Sequence, residues 1–161
     1  MLVEAGAEPV SGLVLPTAHF FPDHFDGSDK AVAKLLWRVV KLAGLSDLDI
    51  TCKVVRAEGA QGGGGSCSSG SCSVGGGSGA RLQRVEQQGD GWVVNVDAGE
   101  VSNPTVLTTG LVRAVSHIFI REFEVGRELE RGDAEAATDL CGVLFGMGTL
   151  LCNGSYIYSK G

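Results

Sequence analysis

Between Asn103 and Glu124 the chain is apolar on nearly every side that a helix presents, and this stretch constrains the fold more than any other. Asn103 offers a side-chain acceptor for a helix start, and Pro104 suits the first helical position, where an N–H would have no partner anyway. A helix with so little polar surface belongs at the centre of a domain with other elements packed round it. Two further helices are available for that. Ser28 caps one that runs to about Ala43 and stops at Gly44, with Val32, Leu35, Leu36, Val39 and Ala43 on its apolar stripe. Lys30, Lys34, Arg38 and Lys41 lie opposite and read as a solvated face. Gly132-Asp133 precedes the other helix, expected from Ala134 to Cys152 and closed by Asn153-Gly154, with Ser155 to Tyr158 as a terminal extended piece. Inside it Gly142-x-x-x-Gly146, extended by Gly148, permits close helix approach within the chain, and Cys141 and Cys152 read as small apolar residues.

The remaining regular structure is a small amount of strand. Leu13-Val14-Leu15 before Pro16 is a short extended lead-in, and Phe20-Phe21-Pro22 brings aromatic bulk ahead of a turn at Asp26-Gly27. Asp49 to Val55 alternates as a strand does. Leu82 to Gln87 and Trp92 to Asp97, joined by Gln88-Gly89-Asp90-Gly91, read as a hairpin. The expected class is therefore α+β: a small antiparallel sheet or hairpin packed with three main helices. With 161 residues the chain holds one domain, 13–161, preceded by a loose arm at 1–12. A Gly/Ser/Cys-rich loop at about 59–79 has almost nothing to bury and reads as a flexible insertion.

Charge and cysteine usage narrow the partners. A net charge of −6 argues against bulk attraction to nucleic acid or to an anionic membrane. The first residues carry acids where a secretory signal carries bases, and the longest apolar run, Leu140 to Leu151, is broken by glycines and too short to span a bilayer. Five cysteines without a leader favour a reducing compartment, so a cytoplasmic location with mostly free thiols is expected. Cys67 and Cys72 in the Gly/Ser loop are a candidate thiol pair; two thiols alone are half a zinc site, and the plainer reading is a linker with incidental cysteines.

The informative chemistry sits on the central helix and the helix after it. Arg113-Ala114-Val115-Ser116-His117 occupies the middle of the first, and Glu135-Ala136-Ala137-Thr138-Asp139-Leu140 opens the second. In zinc peptidases H-E-x-x-H sets two imidazoles one turn apart on one helix face, and its glutamate takes a proton from metal-bound water. A downstream glutamate completes the site, and an aspartate four residues later supports a histidine from behind. Residues 13–45 and 92–154 resemble a bacterial group of small gluzincin-type, thermolysin-related zinc peptidases. The resemblance is carried by Phe20-Phe21-Pro22-Asp23, by the helix and hairpin order, by the Glu135 to Leu140 motif, and by Leu144-Phe145-Gly146-Met147-Gly148 after it. It implies a zincin-like fold.

The departures from that pattern decide what function the resemblance implies. Arg113 stands at the first histidine position and Ala114 at that of the general base; His117, Glu135 and Asp139 remain. A guanidinium has no lone pair for zinc, and Ala114 accepts no proton. Two protein ligands are too few for a catalytic zinc. The expectation is an inactive, metallopeptidase-like pseudoenzyme with no cofactor and no catalytic residue, acting as an interaction or structural subunit through a protein partner or as an oligomer. Arg113 would replace the metal electrostatically, as a fixed cation facing Glu135, with Asp139 as the further candidate. Thr109, Arg113, His117 and Arg121 form an i, i+4 polar stripe through this region. The plainer readings are a hydrogen-bonded core histidine for His117 and a favourable first-turn acid for Glu135. Two alternatives stand beside this expectation: a metal-dependent hydrolase with ligands rebuilt from His19, His24 and His117, and a thiol or metal module at Cys67 and Cys72.

Overall fold

The computed structural model describes residues 12–56, 84–125 and 131–158. Most of the expected N-terminal arm, the Gly/Ser loop with Cys67 and Cys72, and the Leu82 end of the expected hairpin lie outside those residues.

Helix α1 (Asp29–Leu42) begins where Ser28 accepts a hydrogen bond from the Ala31 N–H. It ends at Gly44, whose φ of 73° lets the Leu45 and Gly44 amides return to the carbonyls of Val40 and Lys41. Strands β1 (Ile50–Val55), β2 (Val85–Gln88) and β3 (Gly91–Asp97) form one sheet in the order β1-β3-β2. β2 and β3 make the expected antiparallel hairpin, with Val85 opposite Val94 and Gln88 opposite Gly91. β1 joins the other edge of β3 in parallel, Ile50 opposite Trp92, so the sheet is mixed rather than wholly antiparallel. Alternation on β3 buries Trp92, Val94 and Val96.

A four-residue helix that the sequence pattern did not reveal, α2 (Ala98–Val101), turns the chain from the sheet into α3 (Pro104–Glu122). Asn103 caps α3 through the Val106 N–H and Pro104 opens it. Leu107, Leu111, Val112, Val115 and Ile118 are 0–1% exposed, which makes α3 the centre of the core, as its apolar surface requires. The expected third helix is two helices, α4 (Arg131–Leu144) and α5 (Gly148–Tyr158). Gly146, at φ 76°, makes the break: its amide returns to the Val143 carbonyl and that of Met147 to Gly142. Asn153-Gly154 does not end α5. Gly154 is a packing residue, because a methyl group there would lie 2.1 Å from Thr109 Oγ1. The helix therefore continues through Ser155–Tyr158, which is not extended. The lead-in at Val14 is held by one backbone bond, its N–H donating to the Gly146 carbonyl at 2.9 Å, and forms no strand.

The architecture is thus α+β, five helices and a three-stranded mixed sheet among the described residues, around one hydrophobic core. None of the described helices is long and apolar enough to cross a membrane.

Candidate functional site

The polar stripe of α3 meets three different surroundings. Thr109 is buried, and its hydroxyl proton is shared between the carbonyls of Leu150 at 2.8 Å and Thr105 at 3.0 Å, which ties α3 to α5. Arg121, at the far end, lies 5.4 Å from the ring centre of Trp92, whose indole N–H donates to Glu122 at 2.8 Å. Arg113 and His117 stand between.

Arg113 pairs with Asp139 rather than with Glu135. Its Nε lies 2.8 Å from Asp139 Oδ1 and its Nη2 donates to Oδ2 at 3.2 Å, a two-point contact with the Arg113 side chain 19% exposed and that of Asp139 50% exposed. The Nε contact is close but poorly aligned, so this buried nitrogen is held by charge more than by a directed hydrogen bond. Asp139 takes the role because it stands one turn nearer the point where the helices touch: a Cβ at Gly142 would lie 3.2 Å from Val112 Cγ1 and 3.3 Å from Ser116 Oγ. Glu135 is half-buried and makes no hydrogen bond or ion pair to another described residue. Ala114 is buried.

His117 is half-buried without a hydrogen-bond partner among the described residues, so it is not the satisfied core histidine of the plainer reading. Burial first, and the neighbouring Arg121 charge second, hold its pKa below the ordinary value, which keeps the imidazole neutral at pH 7. Among the described residues no three His, Cys, Asp or Glu side chains converge as a metal site. His19 is exposed, edge-on to Phe20 with ring centres 4.9 Å apart, and His24 is exposed on the same loop.

The Arg113–Asp139 pair lines a groove of about 810 Å³ between α3, α4 and α5, whose wall includes Val143, Leu151, Cys152 and Leu13. Leu13 and Val143 are 57% and 53% exposed, so its rim is apolar. His117 and Glu135 do not line it. The five residues expected to cluster thus divide: Arg113 and Asp139 meet at the groove, Ala114 is core, and His117 and Glu135 stand aside.

A second ion pair at this groove escaped sequence reasoning. Arg84, which also lines it, forks onto Glu100 of α2 through both terminal nitrogens, one of them donating to Oε2 at 2.7 Å. The guanidinium lies against the α3 backbone, where a methyl group at Gly110 would be 2.6 Å from Nη1. A glycine inside an otherwise strong helix, costing about 1 kcal/mol against alanine, was the available signal for such an approach.

The thiols behave differently from one another. Burial pushes Cys141 up to about 12, with the Ser116 hydroxyl beside it offsetting a part of the rise. Burial also raises the half-buried Cys52. Cys152, expected to pack as an apolar residue, is exposed instead because it faces the groove. Compared with known protein families, curated proteins and solved structures, the chain matches none.

Proposed function

We propose that this chain is a catalytically inactive, zincin-like relative of small zinc peptidases that works as an interaction or structural subunit in the cytoplasm, binding a protein partner or assembling with copies of itself. The observation that carries the reading is the Arg113–Asp139 pair. In the pattern the chain resembles, the first residue of H-E-x-x-H holds the metal and an aspartate on the next helix supports a histidine. Here the two corresponding positions satisfy each other as a cation and an anion, with no metal needed between the helices. Ala114 provides no proton acceptor. The apolar-rimmed groove beside the pair supports a binding role, since such concave apolar surfaces with a few fixed polar groups suit recognition of a peptide or side chain.

Hydrolysis assays test this directly. Purified chain supplied in turn with zinc, cobalt and manganese is expected to leave a mixed peptide library uncut. Metal-dependent cleavage that disappears on His117→Ala would overturn the proposal.

A further inference from the structure

α5 separates the groove from a second cavity of about 400 Å³: Leu151 and Cys152 face the groove, whereas Leu150 faces the cavity. Phe21 and Phe25 of the loop before α1, Leu35 of α1 and Leu150 of α5 supply the cavity's apolar and aromatic wall, with His24 and Asn153 among its polar members. Its size falls within the range of about 300 to 1,000 Å³ usual for small-molecule sites. Two opposite charges also line it. Arg38 Nη2 donates to Asp23 Oδ2 at 2.8 Å, with the Arg38 side chain 23% exposed and that of Asp23 41% exposed.

Neither charge is saturated by the other. Of the Arg38 donors only Nη2 has an acceptor among the described residues, and Nε is buried without one. Asp23 is exposed, so its second carboxylate oxygen, which has no donor among the described residues, is open to water or to a ligand. The buried Nε is out of reach of the cavity, whereas Nη1, also without an acceptor among the described residues, is not buried and remains available to a ligand. The sequence pattern placed Arg38 on a solvated basic face with Lys30, Lys34 and Lys41; it is instead turned to the cavity wall.

We infer that this cavity is a binding site for a free α-amino acid with an apolar or aromatic side chain. Such a ligand carries a carboxylate and an ammonium on one carbon, so it can present opposite charges to Arg38 and Asp23, which lie 2.8 Å apart, at once. Its side chain then lies between Phe21, Phe25, Leu35 and Leu150. A plain carboxylate would meet Asp23 as a like charge, and a plain amine would meet Arg38 in the same way. This site does not depend on the reading of Arg113 and Asp139, and either can fail without the other.

Calorimetric titration of the full chain with L-phenylalanine and L-leucine tests the inference, with fluorescence of Trp37 as a second readout because its ring centre lies 5.5 Å from the Arg38 guanidinium carbon. One equivalent of amino acid is expected to bind. N-acetyl-L-phenylalanine and L-phenylalaninamide, each lacking one charge, are expected to bind about tenfold more weakly or worse, as loss of a charge-assisted hydrogen bond predicts. Asp23→Asn and Arg38→Gln should weaken the parent amino acid similarly, with the fold checked by circular dichroism; the analogue series decides the matter even where a variant unfolds. No binding up to on the order of 10 mM, a free energy of only a few kcal/mol, would overturn the inference. So would analogues that bind as well as the parent.

Discussion

Arg113 and Asp139 differ in exposure, and that difference predicts an asymmetry. Asp139→Ala leaves a guanidinium that is 19% exposed without its counter-charge, whereas Arg113→Met leaves a carboxylate that is half in water. Urea unfolding should show a loss of about 2 kcal/mol for the first, the cost of an unsatisfied charged group, and less than about 1 kcal/mol for the second, near that of an exposed pair. Equal losses would mean that the pair is not set into the helix interface as described. His117 adds a pH dependence of defined sign. Its folded pKa lies below the ordinary 6.5, so the unfolded chain holds more protons between the two values. The stability linked to this group is present above the unfolded value and declines as pH falls below it. Unfolding measured from pH 7.5 to 5 should therefore show the unsubstituted chain losing stability relative to His117→Gln. A constant difference across that range would show that burial does not disfavour the charged imidazole. Arg113 was legible as a residue in need of a partner, since a guanidinium on an apolar helix demands one. Which carboxylate answered was not legible, because Glu135 and Asp139 share a helix face one turn apart and only the crossing point chooses between them.

One helix ending recurs three times, after Leu42, Glu122 and Leu144: a residue at positive φ, with its own amide and the next one folded back onto the last turn. Gly44 and Gly146 fill that position twice, and Glu124, at φ 52°, fills it the third time. Gly44 was readable as a stop because glycine is the residue best suited to left-handed backbone. Glu124 carries no such mark, so the end of α3 was expected two residues late. Gly146 was read as a packing glycine within one long helix, and Gly154 as a stop; the two roles are reversed in the fold. The distinction is physical and can be measured. A Cβ at Gly44 meets nothing within 4 Å, so Gly44→Ala should cost about 1–2 kcal/mol from backbone conformation alone. Gly44→Asn should cost less, as asparagine tolerates this region. At Gly154 the obstacle is Thr109, so alanine and serine should both destabilise by about 1–3 kcal/mol through overpacking. Tolerance of serine at 154 would contradict the close α3–α5 contact.

For the molecule as a whole, class and centre were readable from periodicity, because the apolar surface of Asn103 to Glu124 has only one place to go. The parallel pairing of β1 with β3 was not readable: alternation reports which face of a strand is buried and is silent on which edge it joins. The Arg84–Glu100 fork was hidden for a related reason, since Glu100 sits on a four-residue helix too short to leave a periodic signal. With the Arg113–Asp139 pair, that fork fixes two guanidinium groups, Arg84 and Arg113, on the wall of a groove whose rim at Leu13 and Val143 is apolar. The proposed kinship with zinc peptidases requires Arg113 to stand where a metal ligand would stand. Zinc titration of Arg113→His/Ala114→Glu, made alongside the unreverted chain in a Cys67→Ser/Cys72→Ser background to silence the loop thiols, tests that claim most directly. That kinship predicts about one zinc per folded reverted chain, held at positions 113 and 117 with Glu135 drawn in from its present place apart from Arg113, and none on the unreverted chain. A reverted chain that keeps its fold yet takes up no zinc would contradict it, as would an unreverted chain that binds zinc through His117 and Glu135.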